Sequence, residues 1–405
     1  MKRRRLLRSF AAAGTLATLG GCSDIGSNGD DAPGVGRAEG CGPYDPTVEG
    51  TTEWRSVCGD PAGTGVVPTA DAPAPPLSHD WSFPIDGVMG TTRPVVADGR
   101  VYTHDLDTNV YCVDAATGDE VWSRTPTDPQ GSPAVGEDAV IVPSGEHVLG
   151  LDPASGETLW TGPAVRSTVF APSPVVHDGV AYVPYGLSLY AIDAVDGTTL
   201  WEHTTGHETT GTPAVSDGTV YYGDEDTYVY ALDAATGAEQ WRYKTDGHLE
   251  CNAAVADGLV CTATRDGEVL CLDATTGDRH WAYAVDSQPE VVGVDGAQTY
   301  VGTQNRLYAF DLRTGTACWS TGTYAGRYGS GLSVGDSRAY VSTGGSRNRY
   351  NGSPAVLDVG SGRTRWTPDE RDDGEFALEM GPVVVDGAVY ATGGGAQTLQ
   401  LVRLS

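Results

Sequence analysis

Residues 231–241 read Ala-Leu-Asp-Ala-Ala-Thr-Gly-Ala-Glu-Gln-Trp, and nearly the same phrase returns six more times along the 405-residue chain. Its common form is an apolar residue, Asp, two variable residues, Ser, Thr or Asp, then Gly, three variable residues and Trp. The copies occupy 114–122, 152–160, 193–201, 233–241, 273–281, 311–319 and 358–366. Successive tryptophans are separated by 38, 41, 40, 40, 38 and 47 residues. A period near 40 with four strand-like segments per unit is the pattern of a β-propeller blade.

The unit 212–241 shows the parts. A short apolar strand runs into the turn Asp217-Gly218, a strong hairpin signal. Two strands rich in Val and Tyr follow, and the second of them ends on Asp233. That carboxylate can accept from backbone N–H groups and the Thr236 hydroxyl, while Gly237 supplies the positive φ of a tight turn. The fourth strand carries Trp241, whose ring is expected to wedge against the next blade and bury about 150–250 Å². The phrase is therefore structural first.

Seven complete units run from about Arg93 to Trp366, with docking tryptophans Trp122, Trp160, Trp201, Trp241, Trp281, Trp319 and Trp366. Residues 381–405 add three strands and no Trp, whereas Trp81 precedes the first unit on a strand with no blade of its own. The expected architecture is an all-β, eight-bladed propeller in which the N-terminal strand completes the C-terminal blade. That pairing would remove open sheet edges.

The ends set the organisation. Residues 1–21 combine a basic segment, a short apolar run and small residues, the form of an export signal. Arg3-Arg4-Arg5-Leu6-Leu7-Arg8 resembles a twin-arginine signal. Leu19-Gly20-Gly21-Cys22 resembles a lipobox, in which Cys22 is lipidated and becomes the first mature residue. Residues 22–40 are expected to be a flexible tether, 41–76 an N-terminal extension and 77–405 the propeller. No later stretch is long and apolar enough for a transmembrane helix. The expected location is the extracytoplasmic face of the cell membrane, with the lipid as the only membrane contact.

The charge is strongly negative, 54 acids against 25 bases, and five of the bases lie in the leader. Cleavage before Cys22 would leave 54 acids and 20 bases, net −34. Such a surface repels nucleic acid and anionic lipid. With only Lys2 and Lys244 as lysines, the composition resembles that of halophilic archaeal proteins, where salt screens self-repulsion.

Cys41 and Cys58 flank a loop ahead of the propeller and are the expected disulfide. The even spacing of Cys251, Cys261 and Cys271 invites a metal reading, which register opposes. With turns at Asp257-Gly258 and Asp266-Gly267, Cys261 faces about residue 272, and Cys271 points to the other face. Cys112 and Cys271 share the small slot of Ala191, Ala231 and Ala309. No metal site is expected.

The Asp-to-Trp phrase resembles the tryptophan-docking repeat of quinoprotein (PQQ) dehydrogenases, shared by PQQ-like eight-bladed propellers of the BamB lipoprotein group. The resemblance covers about 54–405 and includes 54–65, which resembles the segment ahead of the first blade in such proteins. It specifies the fold far better than the function.

Propeller sites usually lie at the channel mouth, where the innermost strands begin. Repeat alignment places Arg93, Ser132, Ser173, Thr212, Asn252, Glu290, Gly331 and Gly381 there, mostly small and expected to leave space on the axis. Arg93, Asn252 and Glu290, with His207, His248 and Arg327 from adjoining loops, are the candidate ligand-binding residues. Arginines grouped at one face of an acidic protein could hold an anionic ligand, although pairing with surrounding carboxylates is the favoured account. The resemblance implies two functions. One is a scaffold binding protein partners at the membrane surface as a monomer, with no cofactor and no catalytic residue. The other is a PQQ-dependent alcohol or sugar dehydrogenase holding the quinone and Ca²⁺ at the mouth, with Asn252 and Glu290 in the places of metal ligands. The chain lacks the adjacent cysteine pair and the long insertions of those enzymes.

Overall fold

The computed structural model describes residues 41–405 except 42–43, 49, 69–71, 87–90, 106–108, 126–128, 146, 165–171, 250, 322–330, 344–352, 368–379 and 396–397. The expected export signal, Cys22 and the expected tether lie outside the described residues.

Eight four-stranded antiparallel sheets follow one another as blades. The first is built from Val95–Ala97, Arg100–His104, Val110–Asp114 and Glu120–Arg124, counted from the central channel outwards. The eighth takes Val383–Val385, Ala388–Gly395 and Thr398–Leu404 from the C-terminus. Its outer strand is His79–Ile85, with Trp81 opposite Arg403 and Ile85 opposite Leu399. The ring is thus closed by hydrogen bonds between its two ends, as the strand count requires.

Seven of the eight seams between blades are held the same way. The Asp233 carboxylate accepts from the Thr236 N–H at 2.9 Å and its hydroxyl at 2.6 Å. This closes the turn and leaves Gly237 at φ 70°. The Trp201 ring of the preceding blade lies on that glycine: a Cβ there would stand 2.7 Å from the indole. Trp201 Nε1 then donates to the Ala234 carbonyl at 2.9 Å. The same pair of contacts joins Trp81 to Gly118, Trp122 to Gly156, Trp160 to Gly197, Trp241 to Gly277, Trp281 to Gly315 and Trp319 to Gly362. Trp366 packs half-buried into the cluster containing Tyr390 of the eighth blade, which has no such turn.

Within a blade, a third-strand residue sits beneath the ring, which explains the small slot. Gly150 occupies it opposite Trp160, and a Cβ there would come within 2.1 Å of the indole. The buried apolar clusters lie between blades, one joining Ile141 and Trp160 to Ala181, Tyr185 and Ile192. No blade could exclude water from such a face alone.

Two cysteine expectations require correction. Cys41 bonds Cys318 on the outer strand of the sixth blade, with a Cα–Cα distance of 5.6 Å, whereas Cys58 is a buried free thiol. The pairing follows from the path of the extension, which starts at the rim and reaches the axis only near residue 54. Cys261 and Cys271 stand directly opposite one another and form a second disulfide. The connecting turn is centred on Asp266, with Thr264 N–H bonded to the Glu268 carbonyl at 2.8 Å. An odd turn shifts the register by one residue and turns Cys271 onto the face of Cys261.

Residues 54–67 enter the channel and circle its wall. Each innermost strand is a sheet edge with unpaired N–H groups, and one valine at a fixed position recurs in every blade. Trp54 exchanges bonds with Val96 of the first blade at 2.7 and 2.8 Å. The Arg55 carbonyl accepts from Val135 of the second, Pro61 from Val215 of the fourth and Ala62 from Val255 of the fifth. Thr64 accepts from Val294 of the sixth and Gly65 from Val334 of the seventh. The extension therefore pairs the inner edge of six blades.

Three outcomes are expected. Trp160→Ala should lower stability by about 3–5 kcal/mol and Gly237→Ala by about 1–3 kcal/mol, measured by denaturant unfolding. Backbone N–H groups hold the carboxyls of Asp114, Asp152 and Asp273 below their ordinary value, and the Thr236 hydroxyl does so for Asp233. Their stabilisation is complete above the ordinary aspartate value of 3.8 and is lost as pH falls below it. Melting temperature should fall over that range, and less so in Asp233→Asn. Peptide mapping without reductant should recover Cys41 linked to Cys318 and Cys261 to Cys271, with Cys58 alkylated only after unfolding.

Candidate functional site

Arg93 opens the innermost strand of the first blade and is 3% exposed. Its guanidinium donates to the carbonyls of Val57 at 2.6 Å, Pro382 at 2.8 Å, Leu332 at 3.1 Å and Gly381 at 3.3 Å. It also donates to the Ser333 hydroxyl at 3.2 Å and lies 4.8 Å above the Trp54 ring. Arg93 thus ties the extension to the first, seventh and eighth blades. A buried cation with its N–H groups directed at carbonyls is stable where it is, and a removed partner would be costly. Gly331 makes room for it: a Cβ there would stand 1.9 Å from the guanidinium carbon.

The channel wall beside the ring of small residues is lined by the chain's own extension. Gly63 passes so near the fifth blade that a Cβ would meet the Ala253 carbonyl at 2.5 Å. The Asp60 carboxylate closes a turn of this extension, accepting from the Thr64 N–H at 2.9 Å and from its hydroxyl. Burial pushes the adjacent Cys58 thiol up to about 12, against the opposing pull of Arg93, so it is no nucleophile at neutral pH. Small residues at the channel mouth signal close packing as readily as a cavity, and only the extension's path separates the two.

Asn252 lies in the seam between the fifth and sixth blades, 7% exposed. Its amide donates to the Val292 carbonyl at 2.8 Å and accepts from the Val292 N–H at 3.1 Å. Glu290 is half-buried at the start of the sixth inner strand, Pro289–Val294. These two do not form a donor set for Ca²⁺: the Asn252 oxygen is committed to the backbone. Among the described residues no three His, Cys, Asp or Glu side chains converge as a metal site. The Cys261–Cys271 disulfide is buried inside the fifth blade rather than placed at the mouth. As placed, Asn252 and Glu290 give no calcium donor pair, and no chemistry is routed through them.

His207 and His248 both approach the 224–227 turn of the fourth blade. His207 Nε2 is 3.4 Å from the Asp226 carboxylate, and His248 Nδ1 meets the Glu225 carbonyl. Glu225, His248, Leu249 and Arg265 line a shallow cleft of about 140 Å³ there. Arg327 lies outside the described residues. The candidate residues therefore fall into three places: Arg93 at the extension, Asn252 and Glu290 at the fifth-to-sixth seam, and the histidines on the rim of the fourth.

Comparison with known proteins matches this arrangement. A family model described as outer membrane protein assembly factor BamB matches residues 44–223 and 187–404. No curated protein matches. Among solved structures, BamB from Moraxella catarrhalis superposes with a TM-score of 0.64 at 17% identity, covering 80% of this chain and 97% of that one. A europium-containing methanol dehydrogenase gives 0.71 at 14% identity, covering 85% and 90%. The quinohemoprotein alcohol dehydrogenase of Comamonas testosteroni gives 0.68 at 14% identity, covering 87% and 80%. At these identities the likeness to solved structures is one of fold. The family match spans nearly all of the propeller and its extension, and the chain belongs to the PQQ-type propeller family described as outer membrane protein assembly factor BamB.

Proposed function

We propose that this protein is an exported, lipid-anchored scaffold that binds protein partners at the extracytoplasmic face of the cell membrane. The observation that carries the reading is the lining of the channel by the chain's own extension. Residues 54–67 bond to the inner strands of six blades, and Arg93 and Asn252 are committed to backbone groups of this chain. What remains for recognition is the outer surface of a rigid wheel. The leader with its lipobox supports export and anchoring at Cys22. Two disulfides, Cys41–Cys318 and Cys261–Cys271, suit an oxidising compartment. The abundance of carboxylates disfavours nucleic acid and anionic lipid as partners.

The test has two arms. Purified protein mixed with PQQ and Ca²⁺ should show no saturable quinone absorbance and no dye-linked oxidation of alcohols or sugars. Turnover that disappears in Glu290→Ala would replace the scaffold reading with the dehydrogenase one. Cross-linking in native membranes should yield a reproducible protein partner, and an anchored protein that cross-links to none would count against the scaffold.

A further inference from the structure

In every blade the residue just before the docking Trp is bulged out of the ladder. Cys112 pairs with Trp122 while Val113 pairs with Glu120, which leaves Val121 unpaired and projecting. The same offset projects Leu159, Leu200, Gln240, His280, Cys318, Arg365 and Asp80. The side chains at this station divide by blade. The fourth, fifth, seventh and eighth blades carry polar residues, as an exposed position should. The first three carry Val121, Leu159 and Leu200, which are 40%, 49% and 50% exposed. Val195, 58% exposed, adjoins them in the turn where Trp160 Nε1 bonds the Ala194 carbonyl. Four of the six large exposed apolar side chains among the described residues thus lie along one arc of the rim.

The sixth blade shows what such a station does. Cys318 is 1% exposed because the start of the extension covers it: Cys41 is bonded to it, and Tyr44 and Val48 pack on the same cluster. Its described residues are without regular structure. The station is therefore a docking point for an irregular stretch of polypeptide, filled in cis on the sixth blade. Around the arc on blades one to three, Asp119, Glu120, Glu157, Asp196 and Glu202 are exposed. Apolar side chains with five carboxylates and one exposed cation, Arg124, in the same strands and turns fit a segment that alternates apolar and basic residues.

We propose that the arc Val121–Leu159–Leu200 is the docking surface for an extended, basic and apolar segment of a partner polypeptide. This rests on the scaffold reading and names the partner's chemistry. The probe is a fluorescent octapeptide alternating leucine and arginine, with a serine–arginine peptide as its electrostatic control. The triple variant Val121→Ser, Leu159→Ser, Leu200→Ser changes only exposed positions and should melt as the parent does. It should bind the leucine–arginine peptide about tenfold more weakly, whereas Gln240→Ser with His280→Ser should leave binding unchanged. Both proteins should bind the serine–arginine peptide alike and weakly. Retention of binding within about twofold in the triple variant overturns the proposal. So does a parent dimer that the triple variant dissolves, seen by light scattering, which would give the arc to a second copy. Flotation with lipid vesicles that requires the three side chains would assign it to a membrane and overturn it equally. Quinone turnover with an intact peptide response would remove the scaffold reading and leave the arc, so the two fail separately.

Discussion

The seam between an indole and a glycine is what the rest of the molecule depends on. A four-stranded sheet of this size has two apolar faces and cannot cover either alone. The tryptophan supplies area and one directional bond: its face covers a Cβ-free turn, and its N–H finds a carbonyl that the same turn presents. The turn is shaped by an aspartate accepting from the residues that follow it. One short phrase therefore performs three linked tasks, ending a strand, placing a carbonyl and clearing the surface on which the previous blade's ring will rest.

Closure follows from the same economy of edges. The outer strand at 79–85 joins the two ends of the chain in one sheet. At the other edge the extension pairs valine N–H groups on six inner strands. On those six strands the donor facing the channel is satisfied within the chain. A ring stitched at the rim and along the channel wall has most of its inner edges committed to its own chain. This moves recognition to the circumference, where bulged residues stand clear of the ladder and differ from blade to blade while the seams beneath them stay the same.

The disulfides show how a one-residue change in a turn alters chemistry. With a symmetric turn at Asp266-Gly267, Cys261 and Cys271 would face opposite sides of the sheet. The turn is odd, so the pair replaces the tyrosine and small residue that face each other in most other blades, as Tyr221 and Ala231 do. Cys318 had no partner near it in sequence. Cys41 reaches it only because the extension crosses the outside of the sixth blade before turning inward.

By itself the sequence determined the all-β class, eight blades, the eight docking tryptophans and the strand that closes the ring, because each of these is a local pattern repeated at a fixed period. The tertiary structure decided what lies on the axis, which cysteines meet and where the candidate residues fall. Arg93, Asn252 and Glu290 align as one ring in the repeat, yet the first two are turned into backbone seams and the extension lines the channel. Those outcomes depend on contacts between segments distant in the chain, such as Val57 with Arg93 and Cys41 with Cys318, for which no periodicity exists to be read.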